Sequence, residues 1–324
     1  MLQTLRRRWF LLLLMTTLVV GMGWAVKLAP LAEGLPREWI IGSVLLAMAL
    51  PLRIDAMWAT LRRPAPALLA VAINFVVVPL LAWGASLLLT GDLALGLIIA
   101  AAVPCTLASA AVWTRLAGGN DAVSLLVTMI TNLSCFLVTP ALIQLFAGQA
   151  DHSIQFADMA WKLFLLIVFP IFTAQLLRSI PRVGPHVGQW ATANKHGLST
   201  FAQVGILTIV FVGAVNGGLK IASLDNQLAP IAGQIFLMIL LAAAVHTVAW
   251  WIGYKTSRHF GMTPGDQLAV AFAGSQKTLM VGLAIALPFG GLTVLPMLVY
   301  HVEQLLIDTL LAERFRISVE LDRE

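Results

Sequence analysis

Lys277 lies near the middle of a long apolar stretch, in the run Ala271-Phe-Ala-Gly-Ser-Gln-Lys-Thr-Leu-Met280. An ammonium at mid-membrane depth costs at least ~3 kcal/mol on insertion scales, so it must be paired or face a polar cavity. Gly274, Ser275, Gln276 and Thr278 beside it suit a helix that breaks there and exposes backbone groups. A break of this kind is half of a site for a solute or an ion. The competing reading is a buried ion pair that holds two helices together, and Glu303 makes it concrete. If the flanking segments form a hairpin around residue 290, Lys277 and Glu303 each lie 13 residues from its tip, at similar depth. His301, Gln304 and Asp308 add polarity to the same helix, while His246 and Gln234 read as satisfied core groups.

A second interruption falls at Val103-Pro-Cys-Thr-Leu-Ala-Ser-Ala110. Pro104 removes a backbone donor and disturbs the preceding turn, and Thr106 and Ser109 follow at once. In lipid the freed groups must find partners or water, so the segment is either a break lining a cavity or a packed kink. Downstream, Thr128 and Asn132 are four residues apart and share a helix face. They offer oxygens to a cation or substrate, or hydrogen bonds between helices worth roughly 0.6–2 kcal/mol each. Asn74, in Ile73-Asn-Phe-Val-Val-Val-Pro79, is a further polar group in an apolar segment.

The elements that position these residues are membrane helices. Hydrophobic residues make up 60% of the chain and charged ones 11%, with mean hydropathy +0.91. Soluble domains carry about 25% charged residues. The chain is therefore an integral, multi-pass membrane protein. Cys105 and Cys135 both fall in apolar runs and read as reduced packing residues, not a disulfide or metal framework. Arg6-Arg7-Arg8 ahead of Trp9 to Val26 resembles a signal peptide, but the apolar run is longer than the usual h-region and lacks a cleavage site, so a retained helix is expected.

Apolar windows mark ten candidate spans at about 9–26, 38–53, 65–89, 93–115, 121–147, 159–178, 198–217, 228–252, 267–288 and 292–312. Arg178 to His196, with Pro181 and Pro185, reads as a loop. With the N-terminus inside, fifteen basic residues fall on the inner side and four (Lys27, Arg37, Lys162, Lys220) on the outer. This positive-inside bias places both termini in the cytoplasm, with a bacterial inner membrane as the expected location. It also makes the net charge of +5 a topology signal, so no nucleic-acid partner is expected.

Ten spans divide into two halves of five, 1–150 and 151–324, and an odd number per half forces inverted topology. Each half carries a polar-interrupted fourth span. Unusual segments at matching positions are the best sequence pointer to a midplane site.

These residues resemble the bile acid:sodium symporter family, in its SBF-like branch, within the cation–proton antiporter superfamily. The resemblance rests on Asn74-Phe-x-x-x-Pro79-Leu-Leu-Ala, Pro104-Cys-Thr-Leu-Ala-Ser109, Gly119-Asn-Asp-Ala-Val-Ser124 with Thr139-Pro140, Gly274-Ser-Gln-Lys-Thr278 and Leu295-Pro-Met-Leu-Val-Tyr-His301. It implies an all-α membrane protein with ten transmembrane helices in two inverted five-helix repeats. A panel of about 1–63 and 151–218 would face a core of about 64–150 and 219–312, with helices 4 and 9 broken and crossing. Alternating access of a small organic solute, an organic anion first, would follow from the core moving against the panel. The site candidates it collects are Asn74, Thr106, Ser109, Thr128, Asn132, Ser275, Gln276, Lys277, Thr278 and Glu303, with no cofactor and with Na⁺ or H⁺ as coupling ion.

The chain departs from the sodium-coupled pattern acidic-x-Gly-x-Gln-Asn: Phe272 stands at the acidic position and Lys277 at the Asn. A family Asn next to Ser109 is Ala110. Losing a carboxylate and gaining an ammonium changes the local charge by two units. A unit charge 4 Å away contributes about 4 kcal/mol at an effective dielectric near 20, enough to abolish most Na⁺ affinity. The expectation is that the ammonium replaces a bound cation, leaving coupling to protons through Lys277 and Glu303, or none. Two other classes stay open: a drug/metabolite-type exporter and a non-transporting regulator or scaffold of the same fold. A membrane enzyme is disfavoured, because the histidines lack ligand spacing and no nucleophile motif appears.

Overall fold

The computed structural model describes residues 2–52, 60–147, 156–223 and 228–321, and among them every regular element is helical. In chain order these are α1 (Leu2–Gly23), α2 (Ala25–Glu33), α3 (Arg37–Ala49), α4 (Ala65–Ser86), α5 (Gly91–Ala102), α6 (Ser109–Leu116) and α7 (Asp121–Ala147). They continue with α8 (Phe156–Ser179), α9 (Gly184–Ala193), α10 (Lys195–Ala222), α11 (Leu228–His259), α12 (Pro264–Ser275), α13 (Leu279–Ala286) and α14 (Leu295–Leu321).

Each of the ten apolar windows coincides with helix, but not always with one membrane-length rod. Among the described residues seven helices, with the interrupted Pro264–Phe289 taken as one, are long and apolar enough to cross a bilayer, and α1 with α2 makes an eighth if counted together. α1 ends at Gly23 and α2 leaves it at 107°, so residues expected in a loop form a helix instead. α3 has 13 residues, about 20 Å at 1.5 Å per residue, short of the ~30 Å hydrocarbon core. The expected loop from Arg178 to His196 contains α9, which begins with Pro185 in its first turn, where the missing N–H costs nothing.

Two helices contain a π-helical turn, and proline explains both. In α4 the turn is Ile73–Val77 and Pro79 follows; in α8 it is Phe164–Val168 and Pro170 follows. A proline inside a helix lacks an N–H and crowds the carbonyl four residues back, and one extra residue in the turn relieves the crowding.

α10 packs along α1, α2 and α3, and α3 also packs on α8. Gln175 and Arg178 of α8 donate to the carbonyls of Ala49 (3.0 Å) and Leu50 (2.7 Å), satisfying the C-terminal end of α3. A second group forms around α12, which touches α4, α6, α7 and α11, while α14 packs on α5 and α11. The apolar window of Pro264–Phe289 is 100% buried, which makes it the centre of the molecule. Gly274 permits this: a Cβ there would lie 2.9 Å from Ile73 Cγ2. Two clamps fix the ends of the first interrupted segment. Asp92, at the start of α5, accepts from Leu292 N (2.9 Å), in a turn where Gly290 and Gly291 have φ of 67° and 59°. Beyond α6, Asn120 donates to Asp266 Oδ1 (2.8 Å) and its N–H to Gly265 O (2.9 Å) at the start of α12.

Candidate functional site

The two interruptions meet. α5 stops at Ala102, Val103 turns extended (ψ 159°) ahead of Pro104, and α6 starts at Ser109. α12 stops at Ser275, Gln276 and Thr278 are extended (ψ 144° and 122°), and α13 starts at Leu279. Thr278 N donates to Pro104 O at 3.0 Å, tying one break to the other. Gln304 of α14 closes the second break: its Oε1 accepts from Lys277 N and its Nε2 donates to Lys277 O, both at 2.9 Å.

Lys277 is fully buried, and its ammonium is held by neutral oxygens. Nζ donates to Asn74 O (2.6 Å), Val103 O (2.9 Å) and Asn74 Oδ1 (3.1 Å), and stands 5.8 Å from the centre of the Phe75 ring. Each backbone oxygen is free for a reason written in the sequence. Val78 N bonds back to Ile73 O in the π turn, and the residue five beyond Asn74 is Pro79, which has no N–H. The Asn74 carbonyl is therefore open to the ammonium. Val103 O belongs to the end of a half-helix, where the macrodipole places about −0.5 charge and a cation is favoured.

The pair between Lys277 and Glu303, the competing reading, is not formed. Among the described residues Lys277 makes no ion pair, and Glu303 is half-buried with Oε2 lacking a hydrogen-bond partner. Helical phase is the cause. Gln304 faces the Lys277 backbone, and its neighbour in sequence points about 100° away.

The remaining candidates sort into two groups. Gln276 lies in the centre: its Oε1 accepts from Thr106 Oγ1 (2.7 Å) and Ser109 Oγ (2.9 Å), and its Nε2 donates to Asp308 Oδ2 (2.5 Å). Asn74 Nδ2 points at the carbonyls closing α12, best at Gln276 O (3.0 Å). Thr128 and Asn132 of α7 serve the first break, donating to Thr106 O (3.0 Å) and Cys105 O (2.9 Å). Asn132 Oδ1 is buried with no hydrogen-bond partner among the described residues. Ser275, by contrast, bonds back to Ala271 O (2.9 Å), and the Thr278 contact to the other break comes from its backbone.

Sequence reasoning named Asp308, Gln304 and His246 but placed none of them in the site. Asp308 and His246 are both fully buried, with Nε2 3.0 Å from Oδ1, so the carboxylate beside Gln276 comes from α14. Phe272, at the position where an acid was sought, packs edge-on against Trp250 at 5.5 Å. The spacing of 62 residues hid the His–Asp pair.

Two broken helices meeting among buried polar groups, in a chain of long apolar helices, belong to a multi-pass membrane protein. The profile described as the SBF-like CPA transporter family matches residues 8–317, so the chain belongs to that family, and the family is one of transporters. An uncharacterized protein of Pseudomonas aeruginosa is 29% identical over 260 residues, 76% of this chain and 74% of that one. Sodium/bile acid cotransporter 7-B of Xenopus laevis is 24% identical over 222 residues, 67% of this chain and 62% of that one. YfeH of Escherichia coli K12, whose name carries the word symporter, is 24% identical over 263 residues, 76% of this chain and 74% of that one.

Proposed function

We propose that this protein is a secondary transporter of a small organic anion, working by alternating access, in which the Lys277 ammonium takes the place of a coupling cation. The observation that carries the reading is the coordination of Nζ by three oxygens, two of them backbone carbonyls released by a helix break and a π turn. That is a set suited to a small cation. With the ammonium in place, Na⁺ is not a coupling ion.

The architecture in this reading is ten helices in two inverted repeats, 1–150 and 151–324. The core (64–150 and 219–312) moves against the panel (1–63 and 151–218). The clamps made by Asp92 and Asp266 support it, since each residue opens an interrupted segment and each holds a turn of the other half. Preference for an anion is supported by the N-termini of α6 and α13, which start beside the crossover. It is also supported by Arg37, which lines a cavity of about 300 Å³ with Glu38, Lys162 and Leu166 on the same side and Ala284 and Leu287 on the other; Lys162 is paired there with Glu38 at 3.2 Å. The cavity lies between proposed panel and proposed core, where a solute would gain access. The word bile acid in the name of the Xenopus relative points to the same class, amphipathic organic anions.

The test is a thermal-stabilisation screen of the purified protein against carboxylates and sulfonates, followed by uptake of any hit into proteoliposomes. Concentration-dependent stabilisation by an anion, and uptake indifferent to a Na⁺ gradient, are expected. Stabilisation confined to cations, or uptake driven by Na⁺, refutes the proposal.

A further inference from the structure

We infer that His246 and Asp308 together form a proton-binding site wired to the helix crossover, and that the structure shows its loaded state. The assignment rests on the transporter reading above and names the coupling ion for it.

The geometry of the imidazole carries the inference. Nε2 lies 3.0 Å from Asp308 Oδ1 and Nδ1 lies 3.3 Å from Ser275 O. A carbonyl oxygen only accepts, and so does an ionised carboxylate. A neutral imidazole has one N–H, so beside an ionised Asp308 one of its two nitrogens would turn a lone pair on an acceptor. Both contacts are satisfied when the pair holds one further proton, either as imidazolium with carboxylate or as imidazole with carboxylic acid. Loss of that proton leaves one N–H for two acceptors in a site without water contact: a lone pair then faces either Asp308 Oδ1 or the Ser275 carbonyl, and that contact must lengthen.

Any such movement reaches the crossover. Asp308 Oδ2 accepts from Gln276 Nε2, and the same amide's Oε1 holds Thr106 and Ser109 of the other break. One chain of hydrogen bonds thus runs from α11 through α14 to both interruptions. Ser275 O, the second acceptor of the imidazole, is the last carbonyl of α12 and also accepts from Tyr300 Oη (3.0 Å). His246 further meets Tyr300 edge to face at 5.7 Å.

The other ionisable groups around the pair are few. From α14 the ionisable neighbours are Tyr300, whose ring meets His246 edge to face, and Glu303, five residues before Asp308, while His301 is engaged by Gln304 at 2.8 Å. From the second break, the Lys277 ammonium is bound to Asn74 and Val103 oxygens. The buried length of α12, Gln267–Ser275, has no charged residue, and neither has α4. On α6 the basic residue is Arg115, paired with Asp121 at the surface.

The test uses full-length protein in proteoliposomes on a solid-supported membrane, stepped in pH with no solute present. Proton release from a buried pair moves charge within the membrane, so the wild type gives a transient capacitive current. Asp308→Asn can still accept from Gln276 and donate to His246 but cannot release a proton, and the current is lost. His246→Gln shifts the midpoint of the current in pH. Size-exclusion profile and unfolding temperature establish that each variant is folded, and either folded variant suffices. A wild type without current overturns the inference, as does a folded variant with wild-type amplitude and midpoint. A current that survives while no organic anion stabilises the protein refutes the transport reading alone. Uptake that is indifferent to pH, with no current, refutes the proton site alone.

Discussion

Replacing Pro79 by alanine separates this account from ordinary helix energetics. Proline is about 3 kcal/mol less favourable than alanine inside a helix, so Pro79→Ala alone would be expected to stabilise α4. In this structure, however, Pro79 is the reason that the Asn74 carbonyl is open to the Lys277 ammonium at 2.6 Å. An alanine restores an N–H, allows the π turn to relax, and gives that carbonyl a backbone partner. A hydrogen bond to a charged group contributes about 1.5–3 kcal/mol, and much of that is lost when the oxygen is shared or withdrawn. The two effects offset each other, and the net change in unfolding free energy falls well below 3 kcal/mol. A double-mutant cycle with Lys277→Met isolates the coupling. With the ammonium gone, Pro79→Ala should show its full helix benefit, larger than in the wild-type background by on the order of 1–2 kcal/mol. Unfolding in mixed micelles, followed by tryptophan fluorescence, measures each corner of the cycle. Equal stabilisation by Pro79→Ala in both backgrounds would refute the link between proline, π turn and ammonium.

Two further outcomes follow from the packing and the clamps. Gly274→Ala places a Cβ 2.9 Å from Ile73 Cγ2 and 3.0 Å from Ile73 Cβ, and overpacking of this kind costs about 1–3 kcal/mol; a lower unfolding temperature checks it. In the inverted-repeat reading, cysteines introduced at Thr90 and Asn120 lie on opposite sides of the membrane. An impermeant maleimide should label position 90 in intact cells and position 120 only after permeabilisation, with little background because Cys105 and Cys135 are buried.

Much of the fold was legible because a bilayer imposes simple rules. Apolar windows fell on helices, although α1, α11 and α14 run seven to nine residues beyond them, and Pro104 and the Gly274–Thr278 run located both breaks. The bend at Trp24 was not read from the sequence, although Gly21 and Gly23 stand directly before it. In the site, residue types pointed to side chains that meet at the two breaks but not to their partners. A search for the counter-charge of Lys277 selects carboxylates, whereas the ligands are backbone oxygens, which no residue letter displays. The depth argument from the hairpin was accurate to one residue, yet one residue on a helix is about 100° of rotation, enough to exchange Glu303 for Gln304. His246 was read as a satisfied core group, and it is satisfied, with Nε2 3.0 Å from Asp308 Oδ1.

The claim that an ammonium occupies a cation position is tested most directly by Na⁺ itself. The unfolding temperature of purified wild type and of Lys277→Ala is measured in NaCl and in N-methylglucamine chloride at equal ionic strength. Removing the side chain opens the oxygens of Asn74 and Val103, so the variant should gain a Na⁺-specific, saturable stabilisation that the wild type lacks. Saturable stabilisation of the wild type by Na⁺, or a folded Lys277→Ala protein indifferent to it, would contradict the account.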